Sequence, residues 1–123
     1  MKDTKIRTAV IGAGKMGAIH AKVYHQLPQS ELVAVVDTDA QKARHLAKKY
    51  KCPSFTDCSD IVEMVDAVTI SAPTIHHLTL AETFIKNGVS VLIEKPLAAG
   101  VEEGEKIVQL AQKHKTVVAV GHS

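Results

Sequence analysis

Six residues near the amino terminus have the types and spacing of a phosphate-binding turn. They are Gly12-Ala13-Gly14-Lys15-Met16-Gly17, which directly follow a short apolar run and open a helical pattern. In this context the first glycine permits a tight turn, the second lets the backbone approach a pyrophosphate, and the third lets helix and strand pack closely. Free N–H groups and the helix dipole favour phosphate charge there. The motif predicts that all six residues contact a dinucleotide cofactor.

An acidic residue, Asp37, lies where such a turn needs a second partner. It follows the apolar run Leu32–Val36 and lies 20 positions after Gly17, the spacing of a carboxylate that binds a ribose hydroxyl. A carboxylate accepts hydrogen bonds from a 2′-hydroxyl and repels a 2′-phosphate, so NAD is favoured over NADP. Lys42 and Arg44 follow within the next predicted helix and leave NADP open. The structural alternative for Asp37 is a strand-end residue hydrogen-bonded to a loop.

Two further polar stretches follow the fourth and fifth apolar runs. Ala72-Pro73-Thr74, with His77, come after the fourth run, and Glu94-Lys95-Pro96 come after the fifth. The carboxyl ends of parallel strands form the ligand-binding edge of an open α/β sheet. A lysine beside a carboxylate could there orient a substrate hydroxyl or take part in proton transfer. The structural alternatives are a solvated surface lysine, and a helix-start histidine that bonds a nearby carbonyl.

The elements that must hold these residues alternate between buried strands and amphipathic helices. Apolar runs predict strands over Ile6–Ile11, Leu32–Val36, Pro53–Phe55, Ala67–Ser71, Val89–Ile93 and Thr116–Val120. Helical patterns cover Met16–Leu27, Ala40–Lys51, Asp57–Met64, His76–Asn87 and Glu102–His114. This alternation implies right-handed crossovers and a parallel sheet that is covered on both faces. The predicted fold is therefore α/β, a single domain with a doubly wound six-stranded parallel sheet, the Rossmann fold.

Composition excludes several classes of function. Aromatic residues make up only 3% of the 123 residues and Trp is absent, which argues against a stacking platform for single-stranded nucleic acid. A net charge of +2 is too weak for a nucleic-acid footprint, and no run approaches the ~20 apolar residues of a membrane span. Cys52 and Cys58 match neither a zinc pair nor a redox motif. They predict reduced thiols in a cytoplasmic protein without a metal site.

Taken together, these motifs resemble those of the Gfo/Idh/MocA oxidoreductases, and the resemblance covers essentially the whole chain. It rests on VIGAGKMGAIH at 10–20, VVDTD at 35–39, APTIHH at 72–77, VLIEKPLA at 91–98 and VGH at 120–122. The resemblance implies that Lys95 lies beside the nicotinamide and the reacting sugar carbon, and that Glu94 and Pro96 shape the same pocket. Thr74 and Ser123 each replace an asparagine that the family usually carries.

The resemblance also implies a division of labour. Residues 1–123 correspond to the NAD(P)-binding domain, and the family's C-terminal substrate and oligomerisation domain is absent from this sequence. The complete enzyme is expected to transfer a hydride between NAD(P) and a hydroxyl of a sugar, nucleotide sugar or cyclitol. The stretch from EKPLAAG to VAVGH resembles the branch that acts on nucleotide sugars, such as the UDP-N-acetylglucosamine 3-dehydrogenases.

We therefore expect a dinucleotide and a sugar-like molecule as partners, and neither nucleic acid nor membrane. The isolated domain should be monomeric or weakly self-associating, whereas full-length family members are oligomeric. Turnover by this chain alone is not expected. Two alternatives stay open: a non-catalytic dinucleotide-binding or sensing module, and an NADPH-dependent reductase of another Rossmann family.

Overall fold

The fold is organised around one parallel sheet. A computed structural model describes residues 5–73, 76–94 and 101–121, and within these ranges six strands pair in the order β3-β2-β1-β4-β5-β6. The strands are β1 (Ile6–Ile11), β2 (Ser30–Val36), β3 (Ser54–Phe55), β4 (Ala67–Ile70), β5 (Ser90–Glu94) and β6 (Val118–Gly121). The chain winds outward in one direction from β1 and in the other from β4. This topology confirms the predicted doubly wound Rossmann fold.

Four α-helices connect the strands in the described part of the chain. They are α1 (Lys15–Gln26), α2 (Ala40–Lys49), α3 (His77–Ile85) and α4 (Val101–His114). The helix predicted over Asp57–Met64 is wrong, because only a 3₁₀ turn forms, over Cys58–Asp60. There the Asp57 carboxylate caps the turn by accepting hydrogen bonds from the Ser59 backbone and hydroxyl. The backbone bonds that follow, from Ile61 to Cys58 and from Met64 to Ile61, span three residues instead of four, the pattern of short 3₁₀ turns. None of the described helices has both the length and the hydropathy to cross a membrane.

The sheet separates two apolar layers, because side chains alternate between its faces along each strand. On one face Val10 and Val35 pack beneath α1 and α2 with Ala43 and Leu46. On the other face, strand residues pack beneath α3 and α4. That second layer includes Ile11, Val36, Ile70, Ile93, Phe84 and Ile107. The core is therefore built largely from β-branched residues and alanine.

Helix α1 contacts the sheet through small residues. Its apolar stripe, Ile19, Val23 and Leu27, faces outward and is 45–48% exposed, whereas Gly17 and Ala21 are buried against the strands. The pattern predicts the helix correctly, but its large apolar residues do not mark the buried side. The small residues let α1 approach the sheet closely, which brings its first turn to the end of β1.

Candidate functional site

The turn between β1 and α1 depends on two glycines for which the backbone leaves no room for a side chain. Gly12 has φ +105° and donates a 2.7 Å hydrogen bond to the Val36 carbonyl. A Cβ at Gly12 would lie 2.9 Å from the Ser71 carbonyl carbon, and a Cβ at Gly17 would lie 1.8 Å from the Gly12 carbonyl oxygen. These approaches hold the amino end of α1 against the carboxyl edge of the sheet.

Gly14, by contrast, faces open space. It has φ −81°, and a Cβ built there would meet no atom within 4 Å. It occupies the N-cap of α1, where no side chain caps the helix and the first turn carries no acidic residue. The first-turn N–H groups, at Lys15, Met16 and Gly17, have no acceptor within the helix. This opening fits a pyrophosphate, because its donors and the helix dipole complement negative charge.

Asp37 lies directly beside this turn, at the end of β2. Its Oδ2 accepts a 2.8 Å hydrogen bond from the Ala13 N–H, and its Oδ1 accepts one of 2.8 Å from the Asp39 N–H. The structural alternative, a strand-end carboxylate bonded to a loop, thus describes these contacts. An ionised carboxylate offers about four acceptor positions, so the half-exposed group keeps capacity for ligand hydroxyls. The contacts and a ribose-binding role are compatible.

The carboxylate of Asp39, two residues further on, caps a helix. Its Oδ1 accepts hydrogen bonds from the backbone N–H groups of Gln41 (3.0 Å) and Lys42 (3.2 Å), which caps α2. The side chains of Lys42 and Arg44 are exposed on α2. Two acidic side chains therefore lie two residues apart, one beside the glycine turn and one at a helix start.

The segment after β4 lies against the same glycine turn. Ser71 donates a 2.7 Å backbone hydrogen bond to Ile11, which keeps this segment beside the glycine turn. Ala72 is half-buried and Pro73 is exposed. His77 is 1% exposed, and its Nε2 lies 2.9 Å from the Ala72 carbonyl oxygen, the contact that the structural alternative describes. The predicted site residue Thr74 lies outside the described residues.

At the end of β5 the structure reveals a contact that the sequence did not predict. Glu94 is 9% exposed, and its Oε2 lies 2.8 Å from Nε2 of His20 in α1. A histidine three positions after Gly17, within the motif at 10–20, was the available signal. A pattern gives no partner for it, since 74 positions separate the two residues. The predicted residues Lys95 and Pro96 lie outside the described residues, as do positions 122–123.

A second polar contact joins α1 to the sheet one turn further along the helix. The hydroxyl groups of Tyr24 and the fully buried Thr69 in β4 are hydrogen-bonded to each other. Burial raises the pKa of Tyr24, so the phenol stays protonated at neutral pH. Helix α1 is therefore held to the second half of the sheet at two levels.

The two cysteines are free thiols. Cys58 is buried and Cys52 is half-buried, and burial raises the pKa of both, that of Cys58 to about 11. Across residues 5–73, 76–94 and 101–121, no cluster of three or more His, Cys, Asp or Glu side chains could hold a metal ion.

Comparison with known proteins places these features in context. A family model for the GFO_IDH_MocA oxidoreductases, described as an NAD-binding Rossmann fold, matches residues 6–122. UDP-N-acetylglucosamine 3-dehydrogenase of Acidithiobacillus ferrooxidans is 38% identical over 117 residues, covering 95% of this chain and 37% of that protein. Inositol 2-dehydrogenase of Rubrobacter xylanophilus is 36% identical over 108 residues, covering 85% of this chain and 31% of that protein.

Solved structures give the same picture. A solved structure of the UDP-N-acetylglucosamine 3-dehydrogenase of Acidithiobacillus ferrooxidans matches with a TM-score of 0.91 at 37% identity. The match covers 96% of this chain and 38% of that one. GenD2 from gentamicin A biosynthesis, solved in complex with NAD, matches with a TM-score of 0.93 at 29% identity, over 96% and 34%. The chain thus spans about a third of the length of these relatives.

Proposed function

Since the chain belongs to the Gfo/Idh/MocA family of oxidoreductases and matches their NAD-binding Rossmann fold, we propose that it binds NAD in preference to NADP at the carboxyl edge of its sheet. The observation that carries this proposal is the 2.8 Å hydrogen bond between the Ala13 N–H and Oδ2 of Asp37. It joins the predicted ribose-binding carboxylate to the predicted phosphate-binding turn. The two halves of the fingerprint therefore act as one site.

In the proposed complex the cofactor lies across the point where the sheet reverses its winding. The adenosine ribose binds Asp37, and the pyrophosphate lies over Gly14 and the amino end of α1. The other half of the cofactor extends towards the ends of β4 and β5. Its proposed contacts there come from Ala72, Pro73, Thr74, His77, Glu94 and Pro96.

Preference for NAD follows from the charge at the ribose position. The Asp37 carboxylate accepts hydrogen bonds from a 2′-hydroxyl, and it would repel the charge of a 2′-phosphate. The exposed cations Lys42 and Arg44 are the residues that would favour NADP if they reached the ribose. The support for NAD is that Asp37 directly contacts the turn, whereas both basic side chains lie on the exposed face of α2.

For the complete protein we propose hydride transfer between NAD and a hydroxyl-bearing carbon of a sugar, nucleotide sugar or cyclitol. Support comes from relatives named UDP-N-acetylglucosamine 3-dehydrogenase and inositol 2-dehydrogenase. When bound, the nicotinamide accepts the hydride, while the hydroxyl proton leaves to a base and a carbonyl forms. Lys95 is the proposed group that orients or deprotonates this hydroxyl. The two free thiols support a cytoplasmic location, and we expect the domain by itself to be monomeric or weakly self-associating.

Calorimetric titration with NADH and NADPH tests the cofactor assignment, because the absence of Trp rules out quenching of tryptophan fluorescence. We expect NADH to bind at least about tenfold more tightly, a difference of about 1.4 kcal/mol. Asp37→Asn should narrow this preference, because it removes the negative charge yet keeps an acceptor oxygen for the Ala13 N–H. Asp39→Asn is the matched control, since it removes the same charge two residues away and asparagine still caps α2.

Three results would contradict the proposal. Tighter binding of NADPH would overturn the NAD assignment and point to Lys42 or Arg44. An equal effect of both Asn variants would show that Asp37 acts only through long-range charge. Binding of neither dinucleotide at millimolar concentration would exclude a functional site in this chain.

A further inference from the structure

We infer that His20 is a positioning residue for the nicotinamide ring of the cofactor, and that it acts by fixing the Glu94 carboxylate at the end of β5. The inference rests on the proposed NAD site and adds to it a residue that lies outside the glycine fingerprint. Neither the motif nor its spacing assigns His20 a role.

The contact itself is a directed one. Nε2 of His20 lies 2.8 Å from Oε2 of Glu94, and the two side chains are only 19% and 11% exposed. The ring must carry its proton on Nε2 to donate to the carboxylate, and such charge-assisted bonds are short and geometrically specific. A carboxylate this deeply buried is costly without a partner. His20 therefore sets where the Glu94 carboxylate points.

The topology places this pair at the cofactor edge. In the parallel pairing of β4 and β5, Ile93 lies opposite Ile70, the last residue of β4. Glu94 is the next residue of β5, so it lies at the carboxyl edge of the sheet. Asp37 directly follows β2, which lies on the opposite side of the central strands β1 and β4. A dinucleotide that binds its adenosine ribose at Asp37 and its pyrophosphate at the start of α1 must extend towards β5. Its nicotinamide half then lies on the Glu94 side.

The structure also provides a contact of similar kind away from the cofactor edge. Tyr24, one helical turn after His20, bonds to Thr69, which precedes the final residue of β4 and is fully buried. The His20–Glu94 and Tyr24–Thr69 contacts both hold α1 to the second half of the sheet, but only His20–Glu94 involves a carboxylate at the carboxyl edge. Loss of the Tyr24–Thr69 contact therefore shows the effect of a purely structural change, with which loss of the His20–Glu94 pair can be compared.

The test compares two ligands that differ only in the nicotinamide ring. NADH and ADP-ribose both carry the adenosine, the pyrophosphate and the second ribose, but only NADH carries the nicotinamide. We expect His20→Ala to weaken NADH binding about tenfold, the effect of one charge-assisted hydrogen bond, and to leave ADP-ribose binding nearly unchanged. His20→Gln should restore most of the NADH affinity, because its amide can donate to Glu94. Calorimetry measures both ligands, and the fluorescence of bound NADH reports the nicotinamide environment.

Tyr24→Phe is the matched control. It should lower the melting temperature while the ratio of NADH to ADP-ribose affinity stays at the wild-type value. Should His20→Ala fail to fold, Glu94→Gln keeps the side-chain volume and removes the charge, and the inference requires the same selective loss of NADH binding from it.

The outcomes separate the two levels of the proposal. If His20→Ala weakens NADH and ADP-ribose equally, or if Tyr24→Phe changes the ratio as much, His20 is merely structural and the inference is wrong although the NAD site stands. If the wild-type chain binds neither ligand, the proposed function fails and the inference fails with it.

Discussion

Two glycines of the same turn should affect different properties of the protein when each is replaced by alanine. Gly17 packs against β1, so that a Cβ there would lie 1.8 Å from the Gly12 carbonyl oxygen and 3.3 Å from Val10 Cγ1. Gly14 has an ordinary φ and open space around its would-be Cβ. Gly17→Ala should therefore destabilise the fold, whereas Gly14→Ala should leave the fold intact and obstruct the space that we assign to the pyrophosphate.

The size of the two effects follows from the geometry. Relief of the Gly17→Ala clash requires α1 to move by about 1.2 Å for the contact to reach even 3.0 Å, and the neighbour is backbone that cannot rotate away. Overpacking of this kind costs about 3 kcal/mol, and the better helix propensity of alanine returns at most about 1 kcal/mol. A net loss of about 2 to 3 kcal/mol lowers the melting temperature of a domain of this size by about 10 °C.

For Gly14→Ala the opposing contributions nearly cancel. Alanine is a poorer N-cap than glycine, which costs up to about 1 kcal/mol, and it lowers the entropy of the unfolded chain, which returns about 0.4–1 kcal/mol. We therefore expect a melting temperature close to that of the wild type. NADH affinity should fall at least about tenfold, because the methyl group occupies the space that the phosphate needs.

Urea denaturation and NADH titration of the two variants, side by side with the wild type, provide the assay. The expected pattern is a lower urea midpoint for Gly17→Ala only, and a binding defect in a fully folded Gly14→Ala protein. Wild-type stability of Gly17→Ala would refute the packing argument. Wild-type NADH affinity of Gly14→Ala would refute the placement of the pyrophosphate.

Two further predictions concern titratable groups that the proposed cofactor site does not use. Arg7 donates backbone and guanidinium hydrogen bonds to Asp66, and these bonds hold the pKa of that carboxyl below its usual value. The ionised Asp66 carboxylate therefore stabilises the folded state above about pH 4, and this stabilisation is lost as the pH falls through the lowered pKa. Asp66→Asn should thus be less stable than the wild type at pH 7, with the two unfolding midpoints converging towards pH 2; parallel curves would contradict the linkage. Burial raises the pKa of Cys58 to about 11, whereas Cys52 is only half-buried. Iodoacetamide at pH 8 should therefore label Cys52 before Cys58 in the native protein, and should label both thiols in urea. Peptide mass spectrometry measures the extent of labelling at each cysteine. Equal labelling rates in the native state would contradict the burial of Cys58.

The sequence was sufficient for the topology because each strand and helix carries its own local signal. Buried parallel strands appear as uninterrupted apolar runs such as LVAVV, and the glycine turn fixes where β1 ends and α1 begins. The local signal is weaker for the predicted helix over Asp57–Met64. Its cap residue Asp57 is in place, but the backbone bonds that follow join residues three apart instead of four, so a 3₁₀ turn forms over Cys58–Asp60.

Periodicity also predicts a helix without predicting which side of it is buried. In α1 the spacing of Ile19, Val23 and Leu27 is helical, yet these residues are about half exposed while Gly17 and Ala21 contact the sheet. The constraint that decides the matter is steric: the amino end of α1 must lie against the Gly12 carbonyl, and only a small residue permits that approach. A hydrophobicity pattern contains no information about such a backbone contact, so the larger residues do not mark the buried face of α1.

The same steric constraint explains why the pair of His20 and Glu94 escapes sequence reasoning. Because Gly17 and Ala21 set α1 close to the sheet, the residues beside them on the helix, His20 and Tyr24, reach strands β5 and β4. Small residues thus determine which polar side chains meet across 74 positions of chain. A glycine fingerprint is usually interpreted as a phosphate site, but here it also sets the distance at which the helix can reach the far half of the sheet. A substitution that lifts α1, such as Gly17→Ala, should therefore disturb the position of the Glu94 carboxylate as well as that of the pyrophosphate.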